Sequence, residues 1–88
     1  MKFNELNPNI HEILVILGEE SAEVIQETSK IIRFGLDDSR LNNLEKEIGD
    51  LLAMIDLLES HGVIDFDRLE TAKHAKIVKL KQWSSIFN

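Results

Sequence analysis

The sequence predicts an all-α protein, in which a three-helix chain forms a helical bundle that is completed by homo-oligomerisation. Apolar residues recur at helical spacing over long segments, and helix-forming residues dominate a chain with 43% apolar residues and one proline. This composition is neither disordered nor collagenous. A chain of 88 residues forms one domain and buries only a modest fraction of its surface. Association with further copies is therefore expected to supply the missing burial.

The first predicted helix begins at Pro8, after a lead-in over residues 1–6, and ends near residue 34. Asn7 suits the N-cap position, proline suits the first helical position, and Gly35 suits the helix end. The apolar stripe of this helix is wider than one partner helix can cover. It contains Ile10, Leu17, Val24 and Ile31 at intervals of seven residues, widened by Ile13, Leu14, Ile25 and Ile32.

The second predicted helix covers residues 40–61. Asp38 or Ser39 is expected to cap its start, and Gly62 to close it. His61 lies in the last turn, where the helix dipole favours a cation, so this histidine is interpreted as structural.

The third predicted helix has two competing starts that give the same helix. Asp67 followed by Glu70 forms a capping box, while Asp65 offers a start two residues earlier. Lys73 and Lys76 fall on the apolar stripe of this helix, where a lysine either extends outward to water or faces polyphosphate. The apolar members of the stripe are Leu69, Leu80, Trp83 and Phe87.

Two pairs of acidic residues fall on apolar faces. Glu20 and Glu23 are three residues apart in the first helix, and Glu47 and Asp50 in the second, so each pair shares one helix face. A single pair of this kind is usually part of a solvated face, but two pairs on the apolar faces of adjacent helices are uncommon. Buried charge must be neutralised, paired or bound to a metal. The sequence therefore predicts a cation site between the two helices.

Carboxylate ligands favour Mg²⁺, with Mn²⁺ as a possible substitute, because oxygen-only ligation suits hard cations. The chain has no cysteine. His11 and His74 have no acidic partner at metal-ligand spacing on their own faces, and both are expected at the surface.

These acids form a pattern that resembles a known family signature. Glu19-Glu20-x-x-Glu23 followed by Glu47-x-x-Asp50 is similar to the E-E-x-x-E and E-x-x-D motifs of the MazG-like, all-α nucleoside triphosphate pyrophosphohydrolases. That superfamily also includes dimeric dUTPases and phosphoribosyl-ATP pyrophosphohydrolases. The resemblance continues through residues 30–35 and 49–52, and more loosely into the last helix, so that residues 1–88 are interpreted as one domain of this kind.

The resemblance implies Mg²⁺-dependent hydrolysis of (deoxy)nucleoside triphosphates to the monophosphate and pyrophosphate, a role in nucleotide-pool sanitation. It implies a catalytic role for Glu19 in orienting water or a lysine; because Glu19 lies about 100° from Glu20 around the helix, the alternative is that it faces solvent. The residues that it implies for substrate phosphates are Lys30, Lys76 and Lys79, and those that it implies for the metal are Glu20, Glu23, Glu47 and Asp50.

Two alternatives stay open. The first is a phosphoribosyl-ATP pyrophosphohydrolase. It is the less favoured branch, because such enzymes usually have lysines just before the acids, where this chain has Val15, Ile16 and Leu17. A non-catalytic helical oligomer would use the same acids to hold a structural cation.

The expected partners are a nucleoside triphosphate and further copies of the chain, as a homodimer or a dimer of dimers. A net charge of −6 argues against nucleic acid. No apolar run approaches the roughly 20 residues of a membrane span, and no signal peptide is recognisable, so a cytoplasmic location is expected.

Overall fold

The structure is a computed structural model that describes residues 6–88. In this part of the chain it has three helices and no strand: α1 (Pro8–Phe34), α2 (Asp38–Ser60) and α3 (Phe66–Trp83). The all-α prediction is therefore confirmed. Apart from Leu6, the predicted lead-in lies outside the described residues.

Local chemistry fixes both ends of α1 as predicted. The Asn7 side-chain oxygen accepts a hydrogen bond from the Ile10 amide at 2.8 Å, with Pro8 in the first turn. At the other end the Gly35 amide donates to the Ile31 carbonyl at 2.8 Å. Gly35 has a φ of 93°, which favours glycine, so α1 ends there without strain.

The start of α2 differs from the prediction. Asp37, rather than Asp38 or Ser39, is the N-cap, and its Oδ1 accepts from the Arg40 amide at 2.8 Å. The Arg40 side chain provides the physical reason. Its Nη1 pairs with Asp37 Oδ2 at 2.9 Å and donates to the carbonyls of Phe34 and Gly35 at 3.0 Å each. These contacts cross the connection between the helices, and a local capping pattern does not contain them.

At α3 the earlier of the two predicted starts is the one observed, since Asp65 Oδ2 accepts from the Arg68 amide at 3.0 Å. The helix ends at Trp83. Placing Phe87 on its stripe was wrong, because that residue lies beyond the helix. The end of α2 follows the prediction: Gly62, with a φ of 74°, comes directly after the cap residue His61.

The core lies between α1 and α2, which the short connection places side by side and antiparallel. Its buried apolar residues are Ile10, Ile13 and Leu58. Among residues 6–88, α3 has no buried residue and packs closely against neither of the other helices, although its first turns and the last turns of α2 line a common cavity of about 380 Å³. The radius of gyration is 15.9 Å, against about 12 Å for a compact domain of this length. One chain is therefore an open arrangement and does not close the bundle by itself.

None of the three described helices combines the length and the apolar character that crossing a membrane requires.

Candidate metal centre

Three carboxylates converge where the middle of α1 faces the middle of α2. Glu20 comes from α1, and Glu47 and Asp50 come from successive turns of α2. One oxygen of each residue lies within 4.8 Å of the other two, and all three residues are half-buried. We call Glu20, Glu47 and Asp50 the acidic triad. The helical spacing predicted this convergence, and the antiparallel pairing of the helices produces it.

The surroundings of Glu20 in the acidic triad disfavour its ionised form. Partial burial raises the pKa of Glu20 above the ordinary value of 4.5, and the charge of Asp50 and the nearby Glu47 carboxyl raise it further. Glu20 Oε2 is buried and has no hydrogen-bond partner among the described residues. Buried polar atoms normally have partners, so this oxygen indicates a place for a ligand.

In this structure Lys46 is the positively charged residue that pairs with the acidic triad. Its Nζ lies 2.9 Å from Asp50 Oδ2 and 3.4 Å from Glu47 Oε1. The pKa of Lys46 is raised mainly by its hydrogen bond with Asp50, and further by the charge of Asp50 and the contacts with Glu47. The side chain remains 68% exposed, so the ammonium group can turn out to water.

The sequence pattern does not identify Lys46, since a helical projection places it on the polar back of α2. A helical projection gives the direction of Cβ, but a lysine has a long stem that can bend back toward a neighbouring face. The spacing of four residues between Lys46 and Asp50 was the available signal, because oppositely charged residues at this spacing can pair.

The acidic triad is suited to hold a metal ion. Its donors are carboxylate oxygens, which prefer hard divalent cations. Two oxygens that bind one Mg²⁺ lie at most about 4.2 Å apart, twice the usual metal–oxygen distance. The acidic triad, within 4.8 Å, needs only small side-chain movements to reach that limit.

The fourth predicted ligand, Glu23, lies outside this group. It is half-buried, on the stripe of α1 that contains Glu20 and one turn closer to the helix end. Its role as a ligand stays a prediction.

One further turn along α1, Glu27 is buried, with only 7% of its surface exposed. Its Oε1 lies 3.4 Å from Lys30 Nζ, while Oε2 has no partner in the described part of the chain. Lys30, predicted to contact substrate phosphate, is therefore tied to Glu27 and half exposed.

The remaining predicted site residues are exposed. Glu19 lies on the surface of α1, and Lys76 and Lys79 lie on α3. Within residues 6–88, no ion pair joins either lysine to the acidic triad. Lys76 is not turned into a core here, because α3 has no helix packed along it. The roles predicted for these three residues stay predictions.

Comparisons of the chain with protein-family models, with curated proteins and with solved structures found no match. Function must therefore be argued from the acidic triad and the surfaces beside it.

Proposed function

We propose that the protein is a Mg²⁺-dependent pyrophosphohydrolase that converts (deoxy)nucleoside triphosphates to the monophosphate and pyrophosphate. One observation carries this proposal: carboxylate oxygens of Glu20 from α1 and of Glu47 and Asp50 from α2 lie within 4.8 Å of one another. In addition, Glu20 Oε2 is buried and has no partner among the described residues. A polyanionic substrate approaches such acids only if a cation lies between them. The resemblance of the acidic pattern to MazG-like enzymes supports the choice of nucleoside triphosphates.

A bound Mg²⁺ neutralises phosphate charge, acts as a Lewis acid and lowers the pKa of water. In the proposed site Glu20, Glu47 and Asp50 hold the cation, with Glu23 as a further ligand one turn away, and Mn²⁺ is expected to substitute. Lys46 would turn outward when a cation binds. The ion pairs that it loses would be replaced by those of the cation, which carries two positive charges instead of one.

The reaction breaks the anhydride between the α- and β-phosphates. The oxygen of water bonds to one of these two phosphorus atoms, the bond from that phosphorus to the bridging oxygen breaks, and the bridging oxygen leaves with the other product. A proton of the water is released. Glu19 is proposed to orient this water or a lysine from the edge of the site.

Three lysines are proposed to neutralise the phosphates. Lys30 lies ten residues after Glu20, or about 15 Å along α1, which suits the terminal phosphates rather than the scissile bond. Lys76 and Lys79 reach the substrate only if α3 docks over the acidic triad, within one chain or from a second copy.

We propose a homodimer or a dimer of dimers, since the open single chain leaves large apolar side chains in water. Trp83 is 86% exposed, and Ile86 and Phe87 beside it are also exposed. Exposed apolar patches of this kind mark interfaces. A role in nucleotide-pool sanitation would place the enzyme in the cytoplasm.

Release of pyrophosphate from a panel of nucleoside triphosphates tests the proposal. We expect release in Mg²⁺ and none in chelator. A protein that only holds a structural cation would release none in either condition, and a phosphoribosyl-ATP pyrophosphohydrolase would act on that substrate alone.

A further inference from the structure

An open groove of about 340 Å³ lies along the same seam between α1 and α2 as the acidic triad. Nothing in the proposed metal site uses it. Its volume falls in the range of about 300–1,000 Å³ that is usual for small-molecule sites. The groove is lined by Asn9, Glu12, Ile13 and Ile16 of α1 and by Met54, Leu57 and His61 of α2.

The groove lies next to the acidic triad along both helices. Ile16 lies four residues before Glu20 on α1, and Met54 lies four residues after Asp50 on α2. A step of four residues keeps the same helix face and advances about 6 Å. The groove therefore opens about one helical turn from the carboxylates, on the side toward the start of α1.

We propose that this groove binds the nucleoside of the triphosphate whose phosphates are held at the acidic triad, and that it favours bases with an exocyclic amino group. The inference rests on the proposed function and adds the substrate class. The occupant is a purine or pyrimidine base with its sugar, linked through the phosphates to the cation site.

The two directions along the seam differ in chemistry, and this difference orients the substrate. Toward the start of α1 the floor is apolar, with Ile13 and Met54 on opposite helices. Toward the end of α1 the same stripe contains Glu23, Glu27 and Lys30. A base gains free energy by burying its ring faces on the apolar floor, which the charged direction does not offer.

Three polar side chains line the groove; Glu12 and His61 present acceptors, and the Asn9 amide both donates and accepts. His61 Nδ1 lies 2.8 Å from the Leu57 carbonyl oxygen, and a carbonyl can only accept, so Nδ1 carries the proton. In the neutral imidazole Nε2 is then an acceptor. The Glu12 carboxylate also only accepts when ionised.

Acceptors select for N–H donors on the base. Cytosine presents an exocyclic amino group where uracil and thymine present a carbonyl oxygen, and adenine and guanine each have an amino group on the purine ring. A uracil carbonyl facing the Glu12 carboxylate would place two acceptors together, which costs binding free energy.

The test is binding rather than turnover. Calorimetry measures the affinity of the wild-type chain, with Mg²⁺, for inorganic triphosphate and for α,β-methylene analogues of cytidine and uridine triphosphate, which are not hydrolysed at the scissile bond. We expect the cytidine analogue to bind about tenfold more tightly than the uridine analogue.

Two pairs of variants locate the contact. Leu57→Gln removes apolar surface from the groove at a partly exposed position, and Leu52→Gln makes the same change on α2 outside it. Leu57→Gln should weaken the cytidine analogue about fivefold and leave inorganic triphosphate unchanged, while Leu52→Gln changes neither. Glu12→Gln should reduce the preference for cytidine over uridine, and Glu45→Gln, at an exposed site outside the groove, should retain it.

The outcomes separate the two proposals. If inorganic triphosphate and both analogues fail to bind, the proposed function fails and the nucleoside site fails with it. If all three bind but Leu57→Gln acts like Leu52→Gln, the groove assignment is overturned while the metal site stands. Equal affinities for the cytidine and uridine analogues would overturn the base preference.

Discussion

Glu20 is the residue at which the demands of stability and of metal binding are opposed. In the metal-free protein its carboxylate is partly buried beside Asp50 and Glu47, and all three circumstances raise its pKa. A bound cation reverses this effect, because it stabilises the ionised form. The same group therefore destabilises the metal-free fold and contributes to the metal-bound one.

Removing one charged ligand tests the site directly. Glu20→Gln and Asp50→Asn preserve shape and remove charge, so each should lower Mg²⁺-dependent pyrophosphate release by about 100-fold or more without unfolding the protein. Activity and circular dichroism are measured together, with Glu45→Gln as the exposed control. Retained activity in either ligand variant would remove that residue from the site.

The raised pKa of Glu20 predicts how the stability of the metal-free protein depends on pH. Its contribution to folding is fully present below the ordinary value of 4.5 and is lost as pH rises through the raised pKa of the folded state. In chelator, Glu20→Gln should therefore melt above wild type at pH 7, and the difference should shrink as pH falls toward 4.5. A constant difference across that range would show that Glu20 does not titrate as described.

At the residue scale, the sequence predicts the acids but not their counter-ion. The spacing within each acidic pair and the apolar faces around them are enough to bring Glu20, Glu47 and Asp50 together. Lys46 depends on the reach of a flexible side chain, and Glu27 depends on burial that only the packed helices reveal. Periodicity contains neither kind of information.

At the scale of elements, the pairing of α1 with α2 positions the acidic triad, and Arg40 fastens their connection. Its guanidinium bonds to the carbonyls of Phe34 and Gly35 at the end of α1 and pairs with the N-cap Asp37 of α2. A cation at the C-terminal end of a helix is also favoured by the helix dipole. One side chain thus satisfies both helix ends.

Arg40→Gln should consequently lower the free energy of unfolding by about 1–2 kcal/mol. Chemical denaturation measures this change, with Arg68→Gln as an exposed control whose side chain forms no hydrogen bond or ion pair among the described residues. Because the nearest member of the acidic triad, Glu47, lies about two helical turns away, the thermal response to Mg²⁺ should be retained. Equal stabilities of the two variants would contradict the role of Arg40.

The helix ends show why some boundaries are predictable and others are not. Asn7 and Gly35 act through contacts within three or four residues, so sequence is sufficient. The choice of Asp37 as N-cap depends on Arg40 reaching across the connection. Whether α3 packs against α1 and α2 likewise depends on contacts between distant residues, which no local pattern specifies.

For the whole molecule, the main feature is apolar surface that one chain leaves exposed. The radius of gyration of 15.9 Å reflects a third helix that does not pack closely against the hairpin of α1 and α2. Residues such as Trp83 and Ile32 would face water in an isolated chain. Burial of such side chains stabilises by about 1.5–3 kcal/mol each, which favours association.

Light scattering at micromolar concentration should therefore give the mass of a dimer or a dimer of dimers. Trp83→Gln removes the most exposed large apolar side chain in the described part of the chain and should shift the equilibrium toward smaller species. A wild-type protein that is monomeric at this concentration would contradict the proposed assembly.

The central claim, that the acids of α1 and α2 share a divalent cation, is tested most directly by paired thermal melts of wild type and Glu47→Gln. In chelator the variant should melt higher, because one of three converging negative charges is removed. In millimolar Mg²⁺ the wild type should gain about 4–8 °C if the ion exceeds its dissociation constant by about 100-fold, and the variant should gain much less. A variant that melts lower than wild type in chelator, with equal responses to Mg²⁺, would show that these carboxylates do not form a metal site.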